Sequence, residues 1–185
     1  MIFHSTPLQG GYLIELEKIG DERGYFARTW ALHEFTERGL DPTLAQCNTS
    51  FNYKQGTVRG MHYQLPPYGE VKLVRCTRGA IFDVMIDLRP DSPSFLGWYG
   101  AELSAENGRT LYIPRGFAHG FQTLSDDAEI FYMNSTAYEA SAQRGARWND
   151  PLFAIEWPLS ATTINQRDAN YPDSRPEDFA VLRAQ

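Results

Sequence analysis

Five short runs of β-branched and aromatic residues, each cut off by a turn signal, constrain the fold of this chain more than anything else in it. They are YLIELEKI (12–19), EVKLVRC (70–76), AIFDVMIDL (80–88), TLYI (110–113) and AEIFYMN (128–134), with the lengths and residue types of strands. The breaks between them are Gly20-Asp21, Pro66-Pro67, Arg89-Pro90-Asp91, Glu106-Asn107-Gly108 and Ser125-Asp126-Asp127. Proline sets φ and removes a donor, glycine supplies positive φ, and Asn or Asp bonds its own backbone, so each break turns the chain. A helix is predicted at ALHEFTERG (31–39), which Gly39 stops, and a short one near EDFAVLRAQ at the end of the chain. Short strands with regular turns predict an all-β sandwich or barrel with a few short peripheral helices. No linker, low-complexity tract or long-period repeat divides the 185 residues, so one domain over 1–185 is expected.

Bulk properties remove several function classes. No run of 18 apolar residues is present, so no spanning helix is expected. The opening MIFHSTPLQGGYLIEL lacks a basic stretch followed by an apolar block, which points to the cytoplasm. Cys47 and Cys76 are too few for a disulfide framework and read as small buried thiols. The net charge of −6 argues against nucleic acid as a partner. It is compatible with a phosphorylated small molecule, because a few placed arginines hold a phosphate on an acidic protein.

The stretch RGMHYQLPPYGEVK (59–72) places Arg59, His62 and Lys72 close together. Three positive groups repel in a dry core, so they face water or share an anionic target. Arg59 and His62 are three residues apart, and strict strand alternation sends them to opposite faces. Gly60 between them permits a bulge that turns both inward.

Spacing adds a second constraint. Gly56 precedes His62 by six positions, and GRTLYIPRGFAH (108–119) ends on His119. The two stretches resemble the paired motifs of the cupin superfamily, a double-sheet jelly roll. Metal-binding cupins carry two histidines and a glutamate in the first motif. Here Gln64 replaces the second histidine and Glu70 is displaced. His62 and His119 alone make a poor divalent site, so the frame is expected to hold no metal.

Along most of its length the chain resembles the dTDP-4-dehydrorhamnose 3,5-epimerase family. The matching stretches are DERGYF (21–26), QCNTS (46–50), VRGMHYQ (58–64), EVKLVRCTRGAIFDVMIDLRPDSPSF (70–95), YIPRGFAHGF (112–121), WNDPLFAIEWP (148–158) and QRD (166–168). The resemblance implies a cupin-like jelly roll, cofactor-free chemistry on a nucleotide-linked 4-keto-6-deoxyhexose (dTDP-linked by preference), and a homodimer. It assigns His62 as base, Asp168 as its carboxylate partner, Tyr132 as acid and Lys72 as the group facing the sugar carbonyl oxygen. It assigns ligand contacts to Arg23, Gln46, Asn48, Arg59, His119, Tyr138 and Arg167. Arg28 and Gln143 also fall on ligand-facing positions, where the family usually has glutamate.

The residue types suit that chemistry. C3 and C5 flank the ketone, so removing a proton from either gives an enolate, and return from the other face inverts the centre. An imidazole titrates near neutral pH, as a general base requires. The alternatives are a mono-epimerase, a sugar ketoisomerase acting on another nucleotide-sugar, a metal-dependent cupin enzyme, and a module that binds without turnover.

Overall fold

The computed structural model describes residues 1–182. Thirteen strands are present among them: β1 (Ile2–Ser5), β2 (Tyr12–Glu15), β3 (Ile19–Asp21), β4 (Gly24–Phe26), β5 (Gln46–Asn52), β6 (Val58–Gln64), β7 (Lys72–Arg78), β8 (Ala80–Asp87), β9 (Trp98–Ser104), β10 (Thr110–Ile113), β11 (Phe117–Thr123), β12 (Ala128–Asn134) and β13 (Gln143–Gly145). Two short α-helices, α1 (Leu32–Thr36) and α2 (Gln166–Ala169), and a 3-10 helix over Pro176–Leu182 complete the described chain. The strands form a six-stranded sheet in the order β1-β2-β10-β7-β12-β5 and a five-stranded sheet in the order β13-β6-β11-β8-β9, with β3 and β4 as a separate hairpin. Neighbouring strands in both sheets are antiparallel. The sheets pack face to face as a double-sheet jelly roll, the expected all-β class.

Side-chain alternation explains why the strands read as continuous apolar runs. On β8, Ile81 and Met85 enter the core between the sheets, while Val84 and Ile86 lie in a cluster on the opposite face. That outer cluster is roofed by Phe153, Phe179 and Leu182 from the C-terminal segment. On β7 and β12, Val74 and Ile130 face inward, while Leu73 and Met133 pack outward with Phe35 of α1. Both faces are buried, so every position favours an apolar residue. A polar residue on an inward position of such a strand therefore stands out.

Boundaries differ from expectation in places. The predicted 12–19 strand splits into β2 and β3, because its C-terminal half leaves the sheet for the exposed hairpin. The 31–39 helix shrinks to α1, with Ala31 extended and providing no side-chain cap, and Gly39 at φ +68° in the turn that follows. The C-terminal helix is of 3-10 type, and its predicted last three residues fall outside the described ones. Cys76 is buried, but Cys47 is exposed, contrary to expectation. It lies on β5, an edge strand with a neighbour on one side only.

The expected bulge is present in β6. His62 pairs with His119 and Arg59 with Phe121, three steps on β6 against two on β11. Gly60 sits at φ +116°, and a Cβ there would fall 2.5 Å from Gly120 Cα. Both the conformation and the close approach demand glycine. Gly60→Ala should destabilise the protein by about 3 kcal/mol, from left-handed strain plus a backbone clash. A chemical denaturation midpoint equal to that of the unmodified chain would refute this.

Candidate active site

A cavity of about 250 Å³ opens between the sheets, lined by inward positions of β5, β6, β7, β11, β12 and β13. The five-stranded sheet supplies Arg59 and His62 from β6 and His119 from β11. The six-stranded sheet supplies Gln46 and Asn48 from β5, Lys72 from β7 and Tyr132 from β12. The bulge at Gly60 brings Arg59 and His62 to this one cavity, as the sequence predicted.

His62 Nε2 lies 2.8 Å from Asp168 Oδ1. Asp168 is fully buried and ionised, so Nε2–H donates to it and Nδ1 is left as the ring's acceptor. The other carboxylate oxygen accepts from the Gly60 N–H at 3.1 Å and from Asn165 Nδ2 at 3.0 Å. Asn165 also caps α2 by accepting from the Asp168 N–H at 2.8 Å, which fixes the helix that carries the carboxylate. Burial pushes Asp168 up, but the hydrogen bond and charge of His62, the Gly60 N–H and Arg167 together hold it below the usual carboxylate range. Burial likewise pushes His62 down, with the charges of Lys72 and Arg167 adding to it and Asp168 opposing. The net effect is a neutral imidazole, ready to accept a proton.

Tyr132 enters from the opposite sheet, edge-on to the His119 ring at 6.1 Å between centroids. Burial, with the nearby Asp83 charge, pushes its phenol well above the ordinary value, so it stays protonated and can donate. His119 Nε2 lies 2.7 Å from Asp83 Oδ1, and both side chains are buried. Lys72 reaches Glu70 Oε1 at 3.1 Å and the His62 carbonyl at 3.5 Å. The groups of this stretch are thus not left to repel one another: burial favours neutral His62, Lys72 has a carboxylate, and Arg59 Nε donates to Asn52 Oδ1 at 2.7 Å.

At the mouth, Tyr138 OH donates to Gln143 Oε1 at 2.5 Å, and Arg167 Nη1 donates to the same oxygen at 3.2 Å. Gln46 Oε1 accepts from the Tyr138 N–H at 3.0 Å. Three implied ligand contacts do not line this cavity: Arg167 reaches it through Gln143, and Arg23 and Arg28 lie away from it. Arg23 pairs with Asp21 at 2.5 Å within the β3–β4 hairpin, and Arg28 faces Glu34 at 3.6 Å just beyond it. Neither lines the cavity of its own chain, because the hairpin leaves both sheets.

Five carboxylate or amide partners escaped the sequence reading: Asp83, Glu70 as partner of Lys72, Asn134, Asn52 and Asn165. For Asp83 the signal was present, an acid inside the apolar run AIFDVMID. Gln64, at the position of a metal ligand in other cupins, spends its amide on the chain itself. It donates to the Tyr68 carbonyl at 3.0 Å and accepts from the Glu139 N–H at 2.7 Å. Among the described residues no three His, Cys, Asp or Glu are grouped to share an ion.

The model of the dTDP-4-dehydrorhamnose 3,5-epimerase family matches residues 5–175. The chain belongs to this family. It is 44% identical to a dTDP-4-dehydrorhamnose 3,5-epimerase of Sinorhizobium fredii, over 93% of this chain and 89% of the relative. The crystal structure of an enzyme of the same description from Elizabethkingia anophelis superposes with a TM-score of 0.90 at 38% identity, covering 93% of this chain and 95% of that one. A 3,5-epimerase from Legionella pneumophila, in complex with dTDP-4-keto-L-rhamnose, gives 0.85 at 36% identity, with 91% and 89% covered.

The His62 environment has a direct readout. Its imidazole should titrate below the ordinary 6.5, because burial and two cations outweigh Asp168. Asp168→Asn removes the one charge that raises it, so the midpoint should fall further. NMR titration of the imidazole checks both. A midpoint that rises in Asp168→Asn would contradict the assignment.

Proposed function

We propose that the chain catalyses cofactor-independent epimerisation at C3 and C5 of dTDP-4-dehydro-6-deoxyglucose, giving dTDP-4-dehydrorhamnose. The observation that supports this most is the placement of the His62 imidazole and the Tyr132 phenol on facing sheets of one cavity, burial pushing the first down and the second up. His62 Nδ1 takes the proton beside the ketone, and Asp168 stabilises the imidazolium that forms, as the carboxylate of a hydrolase triad does. The Lys72 ammonium faces the developing enolate oxygen, where such a donor contributes roughly 3–4 kcal/mol. Tyr132 returns a proton from the other side, and the centre inverts. Arg59, Arg167, Asn48, Gln46, Tyr138, Gln143 and His119 hold the ligand, with Arg59 and Arg167 suited to the diphosphate.

The oligomer belongs to the same reading. Ile19 and Phe26, each 69% exposed, project from the β3–β4 hairpin beside Arg23 and Arg28. Exposed apolar residues on a two-stranded hairpin favour docking on another surface. We assign that surface to a second copy in a homodimer, which would put Arg23 and Arg28 to work at the partner's cavity. Among the described residues no helix is long and apolar enough to cross a membrane, and a nucleotide-sugar substrate fits a cytoplasmic enzyme.

Incubation with dTDP-4-dehydro-6-deoxyglucose in D₂O, followed by NMR, tests the function. Deuterium should enter at C3 and C5, and label at C3 alone would reduce the reading to mono-epimerisation. His62→Ala should lower turnover by about 10²–10⁴-fold, the range for losing a general base. Tyr132→Phe should leave exchange measurable while net inversion falls. Wild-type product formation by either variant would overturn the assigned roles.

A further inference from the structure

We propose that Glu70 is the positioning residue for Lys72, a role that rests on the function proposed above. Its carboxylate lines the cavity, and its side chain and that of Lys72 are each only 11% exposed. Oε1 takes the Lys72 ammonium at 3.1 Å, and Oε2 accepts from Asn134 Nδ2 at 2.7 Å. Asn134 Oδ1 in turn accepts from Asn48 Nδ2 at 3.3 Å. A polar chain thus crosses the six-stranded sheet from β5 through β12 to β7. Its far end is a residue assigned to holding the ligand, and its near end is the cation assigned to the enolate.

The anchor itself is tethered on both sides. Val71 N–H donates to Ser135 Oγ at 2.8 Å, and Ser135 N–H donates to the Val71 carbonyl at 3.0 Å. On the other side Thr136 Oγ1 donates to the Gly69 carbonyl at 3.0 Å, and Arg115 donates to the same oxygen. Glu70 is therefore pinned at both neighbours to the 135–136 segment. An ammonium on a four-carbon stem has three rotatable donors and no preferred direction of its own. Glu70 and the His62 carbonyl engage two of them, and the third is left for a ligand oxygen. Aiming that donor before the substrate arrives removes a reorganisation cost from the enolate-forming step. The carboxylate also balances one of several cations around the cavity, so Lys72 can be buried at all.

A double-mutant cycle on the full chain tests the role, with turnover of dTDP-4-dehydro-6-deoxyglucose as the readout. Glu70→Ala should lower kcat about tenfold with KM changed less than about twofold, because the aim of Lys72 matters most in the transition state. Glu70→Gln, which keeps an oxygen toward Lys72 and the same shape, should retain more activity than Glu70→Ala. In a Lys72→Ala background, replacing Glu70 should cost less than about twofold further, because Glu70 acts through the ammonium. If Glu70→Ala does not fold, the isosteric Glu70→Gln runs the same cycle. Equal losses in both backgrounds, or an unchanged kcat, would overturn the positioning role while turnover by the unmodified chain leaves the proposed function standing. No turnover by the unmodified chain would overturn both.

Discussion

One buried carboxylate ties the site to the fold. Asp168 accepts the Gly60 N–H with one oxygen and the His62 imidazole with the other. The same group therefore holds the bulge that turns β6 and the imidazole that the bulge delivers to the cavity. Without the extra residue at Gly60, Arg59 and His62 would face opposite sides of the sheet. Without Asp168, the Gly60 N–H would lose its side-chain acceptor, and a buried donor left unpaired costs about 1–3 kcal/mol. Fold and chemistry depend here on a contact between residues 108 positions apart in the chain.

The rest of the cavity follows the same economy of charge. Buried ionic groups persist only when paired and hydrogen-bonded, and the inward His119 and Lys72 each have a carboxylate partner. His119 has Asp83 across β11 and β8, and Lys72 has Glu70 at the entry to β7. Burial alone pushes carboxyls up and imidazoles down. The balance of partners then decides the outcome, leaving Asp168 ionised, His62 neutral and Tyr132 protonated. Those are the protonation states that an acid and a base on opposite walls require.

Arg28 and Gln143, which the sequence reading set apart from the expected family pattern, have different settings. Gln143 lies at the cavity mouth, where its single carbonyl oxygen serves both Tyr138 and Arg167. With a neutral amide there, the carboxylate paired with Arg167 among the described residues is Asp168, at 3.6 Å. Arg28 lies with the hairpin, against Glu34. Neither bonds His62, Lys72 or Tyr132 directly, but Gln143 is linked to His62 through Arg167, whose charge bears on the imidazole.

Much of the architecture was legible in the residues. The strands at 80–88, 110–113 and 128–134 reappear within a residue as β8, β10 and β12, because runs buried on both faces are apolar throughout. β5 and β11, rich in Asn, Ser, Thr, Gly and His, did not read as strands. Their polar positions face a cavity or an open edge, and a local pattern cannot distinguish that from a loop. The resemblance supplied Asp168, which no local pattern in QRD would single out. Glu70 and Asn134 passed unnoticed as partners, because their meaning lies in which strands are neighbours.

The sequence by itself determined the β class and most of the turn positions, Gly20-Asp21 excepted because it lies within β3, and it marked Gly60 as the place where a bulge could form, since periodicity and backbone sterics act over a few residues. Tertiary structure alone decided which carboxylate meets which cation, that the base and the phenol stand on facing sheets, and that Arg23 and Arg28 lie away from their own chain's cavity. Those outcomes depend on strand order and on burial, which set distance and dielectric between residues far apart in the chain, and no local pattern encodes either.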